Sequence, residues 1–391
     1  MNRLLQPGSA ISLMADGVPS ATAMTRLQTF LAGVKVLDLS QYIPGPFASL
    51  LLADMGAEVL KIEPPGGDAM RTLGPRNGAG QPVFYGALNA QKTILRLDLK
   101  TDLGRQTLLE YVDTADILIE GFRPGVMQRL GFDYETLHAR NLKLIYCSMS
   151  GYGTNGPLAT AAAHDGNYLA TSGIMDRNGS DAPTFFDPPI ADMTGALFAT
   201  VAILGALHGR NTSERGVHID LGLADALMPL QLLQIAEWAS NGTIPKRQSG
   251  YLNGGAAYYQ VYATADGRHI MLGSIEPKFW RNFCSAAGEH RWVARQNDPL
   301  PQTLLIAELA AFFGSMAFDR VMERFHSVDC CLSPVLDLGE ALTSTQVKRR
   351  GLVRPHNGDF QALFPAMFDG QAARFRVPMA DLNSSEPPPV P

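Results

Sequence analysis

Cysteine is scarce in this 391-residue sequence. The four present, Cys147, Cys284, Cys330 and Cys331, form no C-x-x-C pair and have no histidine at metal-ligand spacing. Neither a zinc site nor a disulfide framework can therefore organise the fold, and a reducing, cytoplasmic setting is the expectation. Charge is scarce too: Lys, Arg, Asp and Glu make up 18% of the chain, against about 25% in an average domain. The shortfall predicts extra buried surface, such as an oligomer interface. Basic residues form no long run and the net charge is -5, so neither nucleic acid nor an anionic membrane is expected as a partner. No apolar run is read as approaching the roughly 20 residues that cross a bilayer. Residues 1–30 lack the sustained apolar segment of a secretory signal and carry Asp16 and Pro19, which predicts an irregular N-terminal extension. The ending NSSEPPPVP is proline-rich and polar and reads as a loose tail.

What is present is a rhythm. VKVLDLS, AEVLKIE, TILRLDL, DILIEGF and LKLIYCSMSGYG are short, apolar and rich in β-branched residues, and each runs into a turn. Helical stretches lie between them, among them FASLLLADMG, closed by Gly56, and TDLGRQTLLEYVDTA, opened by a Thr/Asp cap. Strands alternating with helices predict a Rossmann-like parallel α/β sheet, with ligands held beyond the carboxyl ends of the strands. The large domain is placed at residues 31–222, followed by a helix and linker at 223–255. The texture then changes: AAYYQVYATADGRHIMLGSIEPKFW predicts two strands joined at ADGR and a helix from about Pro277. A smaller α+β domain is placed at 256–335. Residues 336–391 are read as a return segment to the large domain and the tail.

Several loops are specific in combination. VLDLSQYIPGPFASLLLADMGAEVLKIEPPGGD, LDLKTDLGR, DILIEGFRPGVMQRLGFDYETL and LIYCSMSGYGTNGP resemble the family III coenzyme A transferases, the superfamily that also holds the α-methylacyl-CoA racemases. The resemblance implies that fold, an interlocked homodimer, an acyl-CoA thioester as substrate, and no metal or separate cofactor, because coenzyme A arrives on the substrate. Transferases of this kind carry an aromatic residue before an aspartate that attacks the acyl-CoA, giving a mixed anhydride and then an enzyme-bound CoA thioester. Here AAAHDGNYLATSG places His164 before Asp165, and in this it resembles the racemases more closely. PPIADMTGA is similar to the racemase segment with a catalytic aspartate, which puts that role on Asp192. GGAAYYQVYATADGRHIMLGSIEPKFW is similar to the racemase small domain, with its glutamate at Glu276.

These residues suit proton transfer at carbon. A thioester α-proton is far less acidic than any side chain, so its removal needs a placed base and a stabilised enolate oxygen. Inversion is served by one group on each face, here His164 and Asp192; the aspartate then needs a raised pKa, which predicts a poorly solvated Asp192. Glu276 would orient His164, and the backbone N–H of Asp165 would face the thioester oxygen while its side chain caps the helix that follows. For coenzyme A the resemblance implies Leu97, Leu99 and Lys100, then Gly121, Phe122 and Arg123, and Tyr168. Where relatives read NRNKR, this chain reads NAQKT, keeping Lys92 for a phosphate grip but not the arginines. Cys330 and Cys331 are expected as buried packing residues.

Taken singly, each position has an ordinary structural explanation: Asp192 as a first-turn acid, Glu276 as a helix-start residue before Pro277, His164 as a loop histidine. Two other functions stay open: a coenzyme A transferase with Asp165 as nucleophile, and a thioester-binding protein with a silent site. Met193, Tyr258, Tyr259 and Phe279 offer apolar contacts to an acyl group, and branched fatty acyl, sterol side-chain and arylpropionyl thioesters all fit that description.

Overall fold

The computed structural model describes residues 24–383, apart from 245 and 357–358. Most of the expected N-terminal extension and nearly all of the proline-rich tail lie outside the described residues. Six strands follow the predicted rhythm: β1 (Lys35–Asp38), β2 (Glu58–Glu63), β3 (Thr93–Arg96), β4 (Ile117–Glu120), β5 (Ile145–Ser150) and β6 (His218–Gly222). They form one parallel sheet in the order β3-β2-β1-β4-β5-β6. β4 and β5 are buried along their whole length, as parallel strands covered on both faces must be. One face packs on the helices Pro44–Asp54 and Ile190–Ser213. The other packs on Asp102–Val112, whose start is fixed by Thr101: its hydroxyl accepts from the Gly104 N–H at 3.1 Å.

The strand order reverses between β1 and β4, the point at which an open α/β sheet forms a crevice. Beneath that crevice lies a fully buried ionic chain. Asp38, the last residue of β1, accepts from Ser49 Oγ at 2.5 Å and from the Ser40 N–H at 3.0 Å, and pairs with Lys92 at 3.2 Å. Lys61 donates to the Ser40 carbonyl at 2.7 Å and pairs with Asp68 at 2.9 Å. The two lysines hold the Asp38 carboxyl well below the usual range against the opposing effect of burial. Lys92 also donates to Pro46 O and Asn89 Oδ1, both at 2.9 Å. This corrects the reading of Lys92 as a phosphate ligand: its ammonium is sealed inside and saturated by protein.

Two further elements depart from expectation. The helix Ile190–Ser213 is, by length and composition, apolar enough to cross a membrane, contrary to the expectation of no such run. Its Ala191, Gly195, Ala196, Ala199 and Ile203 are buried against the sheet and the helix Pro44–Asp54. The sheet also gains a seventh strand, Ala380–Asp381, parallel to β3. It is anchored by Arg376, whose guanidinium meets the Asp54 carboxylate with two contacts of 2.8 Å in the interior.

Residues 256–335 carry a core of their own, with Trp280, Phe283, Trp292 and Phe313 buried together. The predicted hairpin is there, β7 (Tyr259–Ala263) and β8 (His269–Gly273). A third strand, β9 (Leu332–Pro334), closes the sheet on β8. Cys330 is buried as expected, but Cys331 is exposed. Its backbone enters the left-handed region, with φ 54°, just before β9 takes up its pairing. The side chain consequently turns outward.

Arg376→Met leaves the Asp54 charge buried and unpaired, and is expected to cost about 3–5 kcal/mol in urea unfolding. Adding Asp54→Leu should recover most of that loss. A single-variant loss below about 1 kcal/mol would show that this pair does not anchor the C-terminal segment.

Candidate active site

A cavity of about 180 Å³ opens at the carboxyl ends of β1 to β4. Leu97, Leu99, Lys100 and Phe122 line it together with Leu39 and Glu63, so four of the residues expected to meet coenzyme A converge on one cleft. Gly121 and Arg123 flank Phe122 on the exposed loop after β4. Neither Lys100, in the lining of the cleft, nor Arg123, next to Phe122 in the chain, is committed to an ion pair among the described residues. Glu120, which the sequence reading passed over, holds this loop: its carboxylate accepts from the Phe122 N–H at 2.8 Å. Burial pushes the Glu120 carboxyl upward, opposed by that hydrogen bond. Tyr168 does not line the cleft. Its ring is buried and its hydroxyl donates to the Ala163 carbonyl at 3.1 Å, bracing the loop that leads into His164.

His164 and Asp165 sit where a loop becomes the helix Asp165–Thr171, with His164 as the N-cap residue and exposed. Asn167 reaches back, its side-chain oxygen accepting from the His164 N–H at 3.0 Å. An acceptor three residues after a cap is a readable pattern, and it was missed. The N–H groups of Asp165 and Gly166 have no partner among the described residues, as expected of the first donors of a helix.

The Asp165 side chain caps a helix, but not its own. Its Oδ1 accepts from the Ala191 N–H at 2.7 Å and the Asp192 N–H at 3.1 Å, at the start of Ile190–Ser213. That helix is preceded by Pro189, which offers no side-chain acceptor. Its free donors are therefore satisfied from outside, by an anion lying where the helix dipole favours negative charge.

One contact thus joins the His164 segment to Asp192, in the first turn of the long helix. Asp192 is half-buried, and its carboxyl is pushed up to about 7, first by burial and second by the neighbouring Asp165 charge. Burial outweighs the helix dipole, which alone would lower it. Asp192 is protonated below that pH and charged above it, so near neutrality it can both accept and return a proton.

Glu276 lies elsewhere. It is the exposed N-cap residue of the helix Pro277–Ala287, and its side chain makes no capping bond. No hydrogen bond joins it to His164 among the described residues. It is close enough to Cys331 for its charge to raise the thiol pKa, after the larger effect of burial.

Known proteins resemble the chain along most of its length. It is 32% identical over 348 residues to the acetyl-CoA:oxalate CoA-transferase of Acetobacter aceti, covering 86% of this chain and 89% of that one. It is also 32% identical over 332 residues to the human α-methylacyl-CoA racemase, covering 82% and 81%. A crystal structure of a CaiB/BaiF family protein from Brucella suis superposes with a TM-score of 0.79 at 28% identity, covering 90% of this chain and 96% of that one. The pattern of CoA-transferase family III matches residues 31–383, and the chain belongs to that family.

Proposed function

We propose that this protein is a racemase of 2-methylacyl-CoA thioesters, an isomerase that inverts the α-carbon by moving one proton off and another on. The observation that carries this reading is Asp192, held half-buried at about neutrality beside a second carboxylate that is engaged as a helix cap. In one direction the Asp192 carboxylate takes the α-proton, the C–H electron pair moves into the thioester carbonyl as an enolate, and protonated His164 delivers a proton to the other face. The roles exchange for the other isomer. The unpartnered N–H of Asp165 supplies a donor to the enolate oxygen. Coenzyme A lies in the cleft formed by Leu97, Leu99, Lys100 and Phe122, with Gly121 and Arg123 at its edge.

A homodimer fits the surface. Along the helix Leu232–Asn241 no residue is buried, and Leu232, Leu233 and Trp238 are 69%, 64% and 56% exposed. So much adjoining apolar surface is characteristic of an interface. In this assembly Glu276 reaches His164 from the partner subunit. The second reading, a transferase with Asp165 as nucleophile, is favoured by one fact: only one oxygen of that carboxylate is bonded.

Incubation of one 2-methylacyl-CoA isomer in heavy water should give deuterium at the α-carbon together with inversion. His164→Ala and Asp192→Asn are expected to lower both by about 100-fold or more. Asp165→Asn, whose amide oxygen still caps the helix, should keep activity within about tenfold. Transfer of coenzyme A to an added carboxylic acid without exchange, abolished by Asp165→Asn, would establish the transferase instead.

The active enzyme carries one proton shared between His164 and Asp192, whichever isomer it binds. The Asp192 carboxyl takes up its proton on the acid side of about 7 and loses it on the alkaline side. The kcat/KM profile is therefore expected to bend near 7, identically for the two isomers because their ratio is the pH-independent equilibrium constant. A profile that stays flat across about two pH units around that value would exclude a titrating Asp192 from the rate-limiting chemistry.

Subunit mixing tests the placement of Glu276. If it acts across the interface, His164→Ala and Glu276→Gln chains, each inactive alone, form mixed dimers with one intact site and recover about a quarter of wild-type activity after refolding together. No recovery would place Glu276 and His164 in the same chain.

A further inference from the structure

The segment between the two proposed proton-transfer residues presents an aromatic ring that the mechanism has not used. Phe185 is 85% exposed, yet it belongs to a firmly held loop. At its start Gly179 has φ +95°, and a Cβ there would lie 2.2 Å from the Ala182 carbonyl oxygen, so the turn closes on itself. Arg247 ties the same stretch down, donating to the Ser180 carbonyl at 3.2 Å and to Asp176 Oδ1 at 2.9 Å. On the other side Phe186 packs against the large core, and Pro188 and Pro189 lead directly into the helix that carries Asp192.

The ring of Phe185 lies over the first turn of the helix Asp165–Thr171. A Cβ on Gly166 would meet Phe185 Cε1 at 3.6 Å, so glycine leaves the turn uncovered except by the ring. An anchored phenyl group facing water beside the helix start that follows His164 lacks an apolar partner. A substrate whose α-carbon is held between His164 and Asp192 would supply one.

We propose that Phe185 forms the wall of an acyl subsite and selects thioesters with an extended apolar chain or an aryl group over those with short or carboxylated acyl groups. This rests on the racemase reading for the position of the α-carbon. The selection is physical: burying a phenyl face against methylene groups is favourable in proportion to the area covered, and a short acyl group covers little of it. A second carboxylate placed there would lose its hydration with no cation supplied by Phe185 in return.

Calorimetric binding of racemic 2-methyldecanoyl-CoA and 2-methylpropanoyl-CoA tests this, with the full-length wild type, Phe185→Ala and Phe185→Leu. The longer ester is expected to bind wild type about tenfold more tightly. Phe185→Ala should remove most of that difference while changing the short ester less than about twofold, and Phe185→Leu should keep much of it. An equal effect on both esters, or no effect on either, overturns the proposal. So does a shift from dimer to monomer in light scattering with the chain-length difference intact, because Phe185 would then face a partner subunit. Isotope exchange by the wild type is read separately. Its absence, with the chain-length difference present and lost in Phe185→Ala, sinks the racemase reading and leaves the acyl subsite standing.

Discussion

The carboxylate of Asp165 accepts from the backbone N–H groups of Ala191 and Asp192, and the geometry of the site follows from that contact. It satisfies donors that Pro189 cannot, fixes the start of the long helix, and sets the loop bearing His164 against it. It also places a negative charge beside Asp192, which adds to burial in raising that carboxyl. The residue adjoining the histidine therefore serves two ends through one interaction. It spends its charge on the helix, and in doing so it tunes the second acid.

The site has two halves, resting on different supports. The cleft proposed for coenzyme A stands on the buried chain of Asp38, Lys61, Lys92 and Asp68 below the switch point of the sheet. A buried ion pair adds little net stability, but removing one member leaves a charge without solvent. Such a chain fixes the geometry of the loop after β1 more than it strengthens the fold. The half proposed for proton transfer stands on helix ends beyond β5, braced by Tyr168 against the Ala163 carbonyl. Rigid supports of this kind suit a reaction that needs two groups held on opposite faces of one carbon.

Much of this was legible in the sequence. The strands from VKVLDLS to LIYCSMS are apolar and β-branched, and the ADGR turn names its hairpin, because these signals are local. The convergence of Leu97, Leu99, Lys100 and Phe122 was legible from motifs alone. What escaped was non-local. Nothing near Asp165 indicates that its carboxylate serves a helix 25 residues further on. Nothing in NAQKT shows that Lys92 is sealed beneath a strand, since a buried lysine and a surface lysine read alike until their partners are known. β9 and the strand Ala380–Asp381 pair with residues far away in the chain. The exposure of Cys331 depends on a single left-handed residue.

The strand Ala380–Asp381 also bears on how the chain comes to be folded. It completes the sheet against β3, which lies 287 residues earlier in the chain, and Leu27 likewise packs with Leu363 and Ala373 from the C-terminal part. During synthesis the edge of β3 therefore stays open until the end of the chain has emerged, while residues 256–335, with their separate core, have had time to collapse by themselves. An open strand edge invites pairing with other chains. For this molecule, the interval between making β3 and making its last neighbour is the period of greatest exposure to misassembly.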